Sequence, residues 1–342
     1  MKLKYIVCIL SVMALASCEN QDIVYPDYEV SACYFPYQTP IRTLILGKYD
    51  QGNNENDNNQ RFEIGVTMGG VYSNEEDRQV HFELDNSLLD NVANVQTLST
   101  EFYTIESTSP VTIPAGSTKG RISIQLNNAF FNDPMSFAPD NEVNYVIPLR
   151  ITEAENLDTV LVGRSSLEAP NKVNPADWDQ LPKDYTLFGI KFINKYHGHY
   201  LRRGIDVLTD ADGNEVENVY HNEFVVKDEV VMLTTSGNQA VQLQNIVRRG
   251  GENSPGNLNM ELVFGTDNSC RIISTEGDPY NISGSGMYVE DADEWGGLPR
   301  DVIYLDYSYT DMANNETHQV KDTLVIRDRA VVFEEFTVEF ND

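Results

Sequence analysis

The chain has 342 residues, with 53 acidic against 24 basic side chains and a formal charge of −29. Negative charge spread along the whole length repels nucleic acid and anionic lipid surfaces, so neither is expected as a partner, while neutral and cationic partners stay open. The length allows about two domains, each able to bury its own core.

Lys2 and Lys4, an apolar run over residues 5–15 and the small pair Ala16-Ser17 give the charged start, apolar middle and small-residue end of a secretory signal over residues 1–17. The run is too short to span a bilayer as a helix. Leu15-Ala16-Ser17-Cys18 resembles a bacterial lipoprotein box. That likeness implies cleavage before Cys18, lipid on this residue, and a mature chain held at the outer membrane through the lipid alone, on its periplasmic or cell-surface face. Residues 18–29 are polar and acidic with Pro26 and read as a stalk; Glu19 and Asp22 resemble the acidic signal of surface-exposed lipoproteins. Cys33 and Cys270 lie far apart in sequence and are expected as buried free thiols rather than a disulfide.

Residues 30–166 read as a β-sandwich. Phe62-Glu63-Ile64-Gly65-Val66-Thr67-Met68, Val80-His81-Phe82-Glu83-Leu84 and Arg121-Ile122-Ser123-Ile124-Gln125-Leu126 alternate apolar and polar residues, which puts one face of each strand on a core and the other in water. Turns at Gly69-Gly70, Ser73-Asn74 and Pro114-Ala115-Gly116 separate them. The loop 50–60 is made almost wholly of polar residues and Gly and should lie at the surface. Only residues 87–95 look briefly helical.

Val66-Thr67-Met68-Gly69-Gly70-Val71-Tyr72-Ser73-Asn74, Phe102-Tyr103-Thr104-Ile105, Val111-Thr112-Ile113-Pro114-Ala115-Gly116 and Tyr145-Val146-Ile147-Pro148-Leu149-Arg150 occur in the order of one family's landmarks. The region resembles the N-terminal sandwich of Bacteroidetes surface lipoproteins, the domain of unknown function 1735, which often precedes a glycosidase or a carbohydrate-binding module. The resemblance implies an immunoglobulin-like spacer and no catalytic residue.

Residues 167–183 hold Pro170, Pro175 and Pro182 and read as a stiff linker carrying Trp178. Residues 184–342 then offer at least eight short strands, from Tyr185-Thr186-Leu187-Phe188 to residues 331–339, enough for an antiparallel barrel without open edges. Gly198-His199-Tyr200 and the late strand Asp322-Thr323-Leu324-Val325-Ile326-Arg327 resemble the lipocalin-like barrels attached to such lipoproteins. The expected fold is thus all-β: a sandwich followed by a lipocalin-like barrel.

Several motifs suggest chemistry. His197 and His199 could bind zinc if His221 or Asp206 converged on them, but the spacing is not that of a metal motif. Asp210-Ala211-Asp212-Gly213-Asn214 resembles a calcium loop yet fits a hairpin turn better. Glu290, Asp291, Asp293 and Glu294 crowd a loop beside Trp295 rather than facing each other across a cleft, which argues against glycoside hydrolysis. An aromatic ring next to acids is what sugar recognition needs. Trp295 and Tyr307 are therefore the expected stacking platforms, Asp293 and Asp306 the hydrogen-bond acceptors and Trp178 a rim contact. No cofactor or metal is expected. The functional expectation is a non-catalytic surface lipoprotein binding a glycan or glycan-derived ligand beside other outer-membrane uptake proteins. A structural or adhesive protein is the alternative and a hydrolase a third.

Overall fold

Alternation sets the first strands. In Arg61–Gly69, Phe62, Ile64, Val66 and Met68 are buried while Arg61, Glu63 and Gly65 face water. The computed structural model describes residues 27–249 and 256–341; the signal segment, Cys18 and most of the stalk lie outside the described residues. In chain order the strands of the first half are β1 (Ala32–Tyr34), β2 (Pro40–Ile45), β3 (Arg61–Gly69), β4 (Arg78–Leu84), β5 (Gln96–Thr97), β6 (Tyr103–Ile105), β7 (Val111–Ile113), β8 (Lys119–Leu126), β9 (Tyr145–Glu155), β10 (Thr159–Val160) and β11 (Tyr185–Ile193). One sheet has the order β10-β1-β3-β8-β6, and the facing one runs β2-β11-β9-β4-β7 with β5 beside β9. Phe62, Ile122, Phe130, Ile147 and Phe192 interdigitate between them.

The second half contains β12 (Gly198–Thr209), β13 (Glu215–Tyr220), β14 (Glu229–Gly237), β15 (Ala240–Val247), β16 (Asn257–Phe264), β17 (Ser269–Ser274), β18 (Ser283–Trp295), β19 (Leu298–Asp311) and β20 (Glu316–Asp328). Each strand from β14 onward pairs with the next, and β20 returns to β12, which closes an eight-stranded antiparallel barrel. The hairpin β12–β13 extends past this ring. Its turn is the Asp210–Asn214 segment, where Asp210 accepts the amides of Asp212 and Asn214 and Gly213 has φ +82°, so the hairpin reading holds. Residues 225–227 form a 3-10 turn before β14, so the short apolar run Phe224-Val225-Val226 is not a strand.

The predicted sandwich-then-barrel architecture is present, but two segments change sides. β11, expected to open the barrel domain at residue 184, lies between β2 and β9 in the sandwich. Its near-continuous burial explains why: one face packs on the main core through Ile190 and Phe192, the other through Tyr185 and Leu187 in a cluster with Leu88, Val173 and Phe336, and a strand buried on both faces carries no alternation. Residues 331–339 were expected to continue the barrel. Instead the chain leaves the barrel after Asp328 and returns to the sandwich, where β21 (Glu334–Glu335) pairs with β2 and Phe340 bridges Val92. Buried Glu334 fixes this return by accepting bonds from Lys191 Nζ at 2.9 Å, Thr43 Oγ1 at 3.0 Å and the Asn141 amide at 2.6 Å. The barrel is therefore an excursion between two sandwich strands. The proline-rich segment 167–183 is folded as an ordered loop along the sandwich, its Gln180 bridging Arg164 and its Lys172 paired with Asp184 at 2.5 Å.

Cys33 lies in the sandwich core and Cys270 in the barrel, both as free buried thiols, and burial pushes each thiol up to about 12.

Candidate functional site

The barrel interior is the first place to look, because Tyr307 stands on β19, a strand of the barrel wall. Even-numbered residues of β12 and odd-numbered residues of β19 point inward. Near the sandwich the interior is apolar and aromatic, with Tyr196 stacked on Phe264 at 3.6 Å between ring centres. Toward the β19–β20 hairpin it is charged. Arg202 Nε meets Asp322 at 2.8 Å and its Nη1 meets Glu229 at 3.1 Å, while Tyr220 and Tyr307 donate to Asp322 as well. His318 Nδ1 lies 2.8 Å from Asp206, and Arg248 pairs with Asp311. Opposite charges face each other throughout this interior, and packed side chains fill it.

Tyr307 belongs to that network. It is 2% exposed, so it is a core residue rather than a stacking platform. Asp306, its neighbour on the strand, points to the outer surface, 3.8 Å from Lys321. The alternation of a strand puts the two on opposite sides of the barrel wall, and they cannot serve one site. Trp295 is half-buried on the outside of the barrel against Leu201, Val302 and Val325, donates its ring N–H to the Ile326 carbonyl at 2.9 Å, and lies 4.3 Å beneath the Arg300 guanidinium. Its ring is occupied by protein, so it positions Arg300 instead of offering a free face. Asp293 pairs across the same hairpin with Arg300 in register, and its carboxylate accepts the Glu294 amide. Trp178 is held in the loop along the sandwich by a 2.8 Å bond from its ring N–H to the Asn171 carbonyl, away from the barrel residues. His197 and His199 also part company: buried His197 accepts the Thr235 amide at 3.0 Å, and His199 meets Asp328 at 2.7 Å. Among the described residues no group of three His, Cys, Asp or Glu side chains is placed to hold a metal ion.

A different set converges where the two domains meet. The loop after β2 supplies Lys48, Tyr49, Asp50 and Gln51, and the barrel supplies Lys195, Arg300, Asp301 and the end of β20. Two glycines permit this approach. Gly47 has φ +84° and a side chain there would stand 2.5 Å from Lys195 Cβ; Gly198 has φ +146° and a side chain there would stand 2.3 Å from the Asp328 carbonyl. Arg329 locks the junction. Its Nε donates to His197 O at 2.8 Å, Nη1 to Leu46 O at 3.0 Å and Lys48 O at 2.7 Å, and Nη2 to Asn194 O at 2.6 Å.

Around this lock the cleft is polar. Lys48 Nζ lies 2.6 Å from Asp291 and 3.8 Å from Asp301, and the bond to Asp291 holds its ammonium above the ordinary lysine range. Asp301 also accepts the Tyr288 hydroxyl at 2.6 Å, and Arg300 meets Asp50 at 3.3 Å. Lys195 donates to Asn268 at 2.7 Å and stands over the rings of Tyr196 and Tyr288 at 5.0 and 4.9 Å. Burial, helped by the neighbouring Arg329 and Lys191, lowers His197 to about 3, so its imidazole is neutral beside the cleft. Such an arrangement can hold a hydroxylated or charged ligand between polar groups of both domains, a common place for a ligand site. Sequence reasoning reached Trp295 and Asp293 at its edge and missed its centre. The available signal was Arg327-Asp328-Arg329, a basic island in an acidic chain.

Fold and cleft together define a two-domain β-protein whose sandwich and barrel share a polar junction. A solved structure of a protein of unknown function from Bacteroides ovatus is 33% identical, with 92% of this chain and 100% of that chain aligned at a TM-score of 0.82. The chain belongs to the family of that protein. Residues 195–330, which span β12 to β20, match the model of the domain of unknown function DUF5627, and residues 26–158 match a model described as a "-like, N-terminal domain". Two other solved structures are more distant. One is a multidomain protein including DUF1735 from Bacteroides ovatus (13% identity, 91% of this chain and 100% of that chain, TM-score 0.41), the other an auxiliary nutrient binding protein from Bacteroides thetaiotaomicron (15%, 84% and 90%, 0.39). No curated protein matches.

Proposed function

We propose that this protein is a non-catalytic surface lipoprotein, anchored through Cys18 at the outer membrane, that holds a glycan or glycan-derived ligand in the junction cleft for uptake. Membership of its sandwich in the DUF1735 group is part of the same reading. The observation that carries it is the convergence of Lys48, Tyr49, Asp50 and Gln51 with Lys195, Arg300 and Asp301 in one cleft between the domains. Supporting binding over hydrolysis, Asp50, Asp301 and Asp328 are each engaged by a cation, a tyrosine or a histidine, whereas glycoside cleavage needs two carboxyl groups free to act on opposite sides of the bond. The chain from Glu19 onward is expected to be retarded in affinity gels by a member of a plant, host and microbial polysaccharide panel without releasing reducing ends. Release would make it a hydrolase, and silence in both assays would remove the binding role.

One observation favours a structural or adhesive reading. Tyr37, Val332 and Phe333 are exposed and line an apolar groove of about 370 Å³ on the sandwich, with Tyr37 and Phe333 rings 5.2 Å apart. Phe333→Ser would abolish assembly with a protein partner in that case and leave polysaccharide retardation unchanged in ours.

A further inference from the structure

The cleft inverts the charge of the chain. The sequence holds more than two acids for each base, yet the cleft is lined by Lys48, Lys195, Arg300, Arg327 and Arg329 against Asp50, Asp301 and Asp328. Three of the cations have carboxylate partners: Lys48 has Asp291, Arg300 has Asp50, and Arg327 has Asp328 at 3.7 Å. Two do not, among the described residues. Lys195 is satisfied by the Asn268 amide oxygen and two ring faces, and Arg329 by main-chain carbonyls alone.

Arg329 is 6% exposed, and burial lowers its affinity for the proton. A buried cation with no carboxylate in direct contact is costly, Asp301 acting on Arg329 only through space, and a chain this rich in acids could have supplied a closer partner. Of the five N–H groups of a guanidinium, these carbonyl bonds use four, leaving one on Nη2, and Arg329 is among the residues that line the cleft. The open space there is about 50 Å³, room for a few waters or one group of carboxylate size, while a sugar ring would have to lie along the rim by Tyr49 and Gln51.

We infer that the junction cleft binds the oxyanion of an acidic saccharide, a carboxylate or a sulfate, with Lys195 and Arg329 supplying positive charge that no carboxylate pairs directly. This rests on the glycan-binding reading and names its ligand class. Carboxylate and sulfate share the chemistry, and the guanidinium N–H and the ammonium serve either.

The test is calorimetric titration of the chain from Glu19 onward with digalacturonate, a sulfated disaccharide, neutral galactobiose and inorganic sulfate, at low and high salt. At least one acidic disaccharide should bind about tenfold or more tighter than galactobiose and weaken as salt rises, since screening acts on the charged contact. Lys195→Gln should remove that preference while leaving the thermal midpoint unchanged; Arg329→Gln, which also cuts the domain lock, is scored only if its midpoint is retained. Galactobiose bound as tightly as the acidic sugars, with Lys195→Gln silent, would overturn the inference and leave the glycan reading standing. Inorganic sulfate bound by the wild type and lost in Lys195→Gln, with no saccharide bound, would keep the anion site and sink the glycan reading.

Discussion

The barrel interior and the junction cleft both bring arginines into places poor in water, but they balance the charge differently. Inside the barrel Arg202 faces Asp322 and Glu229, Arg248 faces Asp311, and His318 faces Asp206. At the junction Arg329 and Lys195 bond only to carbonyls, an amide and ring faces, with Asp301 acting on Arg329 through space. A balanced network, closed on itself, specifies how strands pack; an unbalanced one keeps a capacity for something outside the chain.

Breaking the balanced side should have the largest effect. Asp322→Ala leaves Arg202 buried beside Tyr220 and Tyr307 and should cost about 3–5 kcal/mol, read as a fall in the urea midpoint. A loss below about 1 kcal/mol would mean the network is not structural. Gly198→Ala forces a side chain onto the Asp328 carbonyl at a φ that only glycine adopts freely, and about 2 kcal/mol should be lost with the domains loosened at Arg329. Trp295→Ala should also cost about 2 kcal/mol, since half of the ring packs on Leu201, Val302 and Val325. An unchanged melting point with lost ligand binding would restore it as a contact residue.

A smaller effect is a slope. His197 is held at about 3 in the fold against 6.5 when exposed, so the folded form is the one that lacks the proton between these values. Its contribution is complete above pH 6.5 and falls as pH drops, by at most about 1.4 kcal/mol per unit. His197→Gln should flatten the change in urea midpoint between pH 6.5 and 5.0; an unaltered slope would place the titration elsewhere. Lys195→Gln is expected to be the mildest for stability, within about 0.5 kcal/mol, because the side chain is half-exposed and has no carboxylate to lose.

Local pattern carried much of the fold. The two-residue period of β3 and β8 matches their burial, and the inward set Leu305, Tyr307, Tyr309 was readable as one face of β19. Alternation names residues that share a face without saying which face is inside, which is how Tyr307 came to be read as a ligand platform. β11 and β21 were illegible for another reason. Their membership of the sandwich depends on Lys191, Thr43 and Asn141 meeting Glu334, residues far apart in the chain. The cleft likewise joins residues 48–51, 195, 300–301 and 327–329, and no short window of sequence contains it.

The account turns on the cleft, and not the barrel interior, being where ligand binds. Amide hydrogen exchange on the wild-type chain, with and without the saccharide that retards it best, measures this most directly. Slowed exchange at residues 46–51 and 326–330, with the β12–β13 and β19–β20 hairpins unchanged, is the predicted result. Protection confined to those hairpins would move the site into the barrel mouth and contradict it.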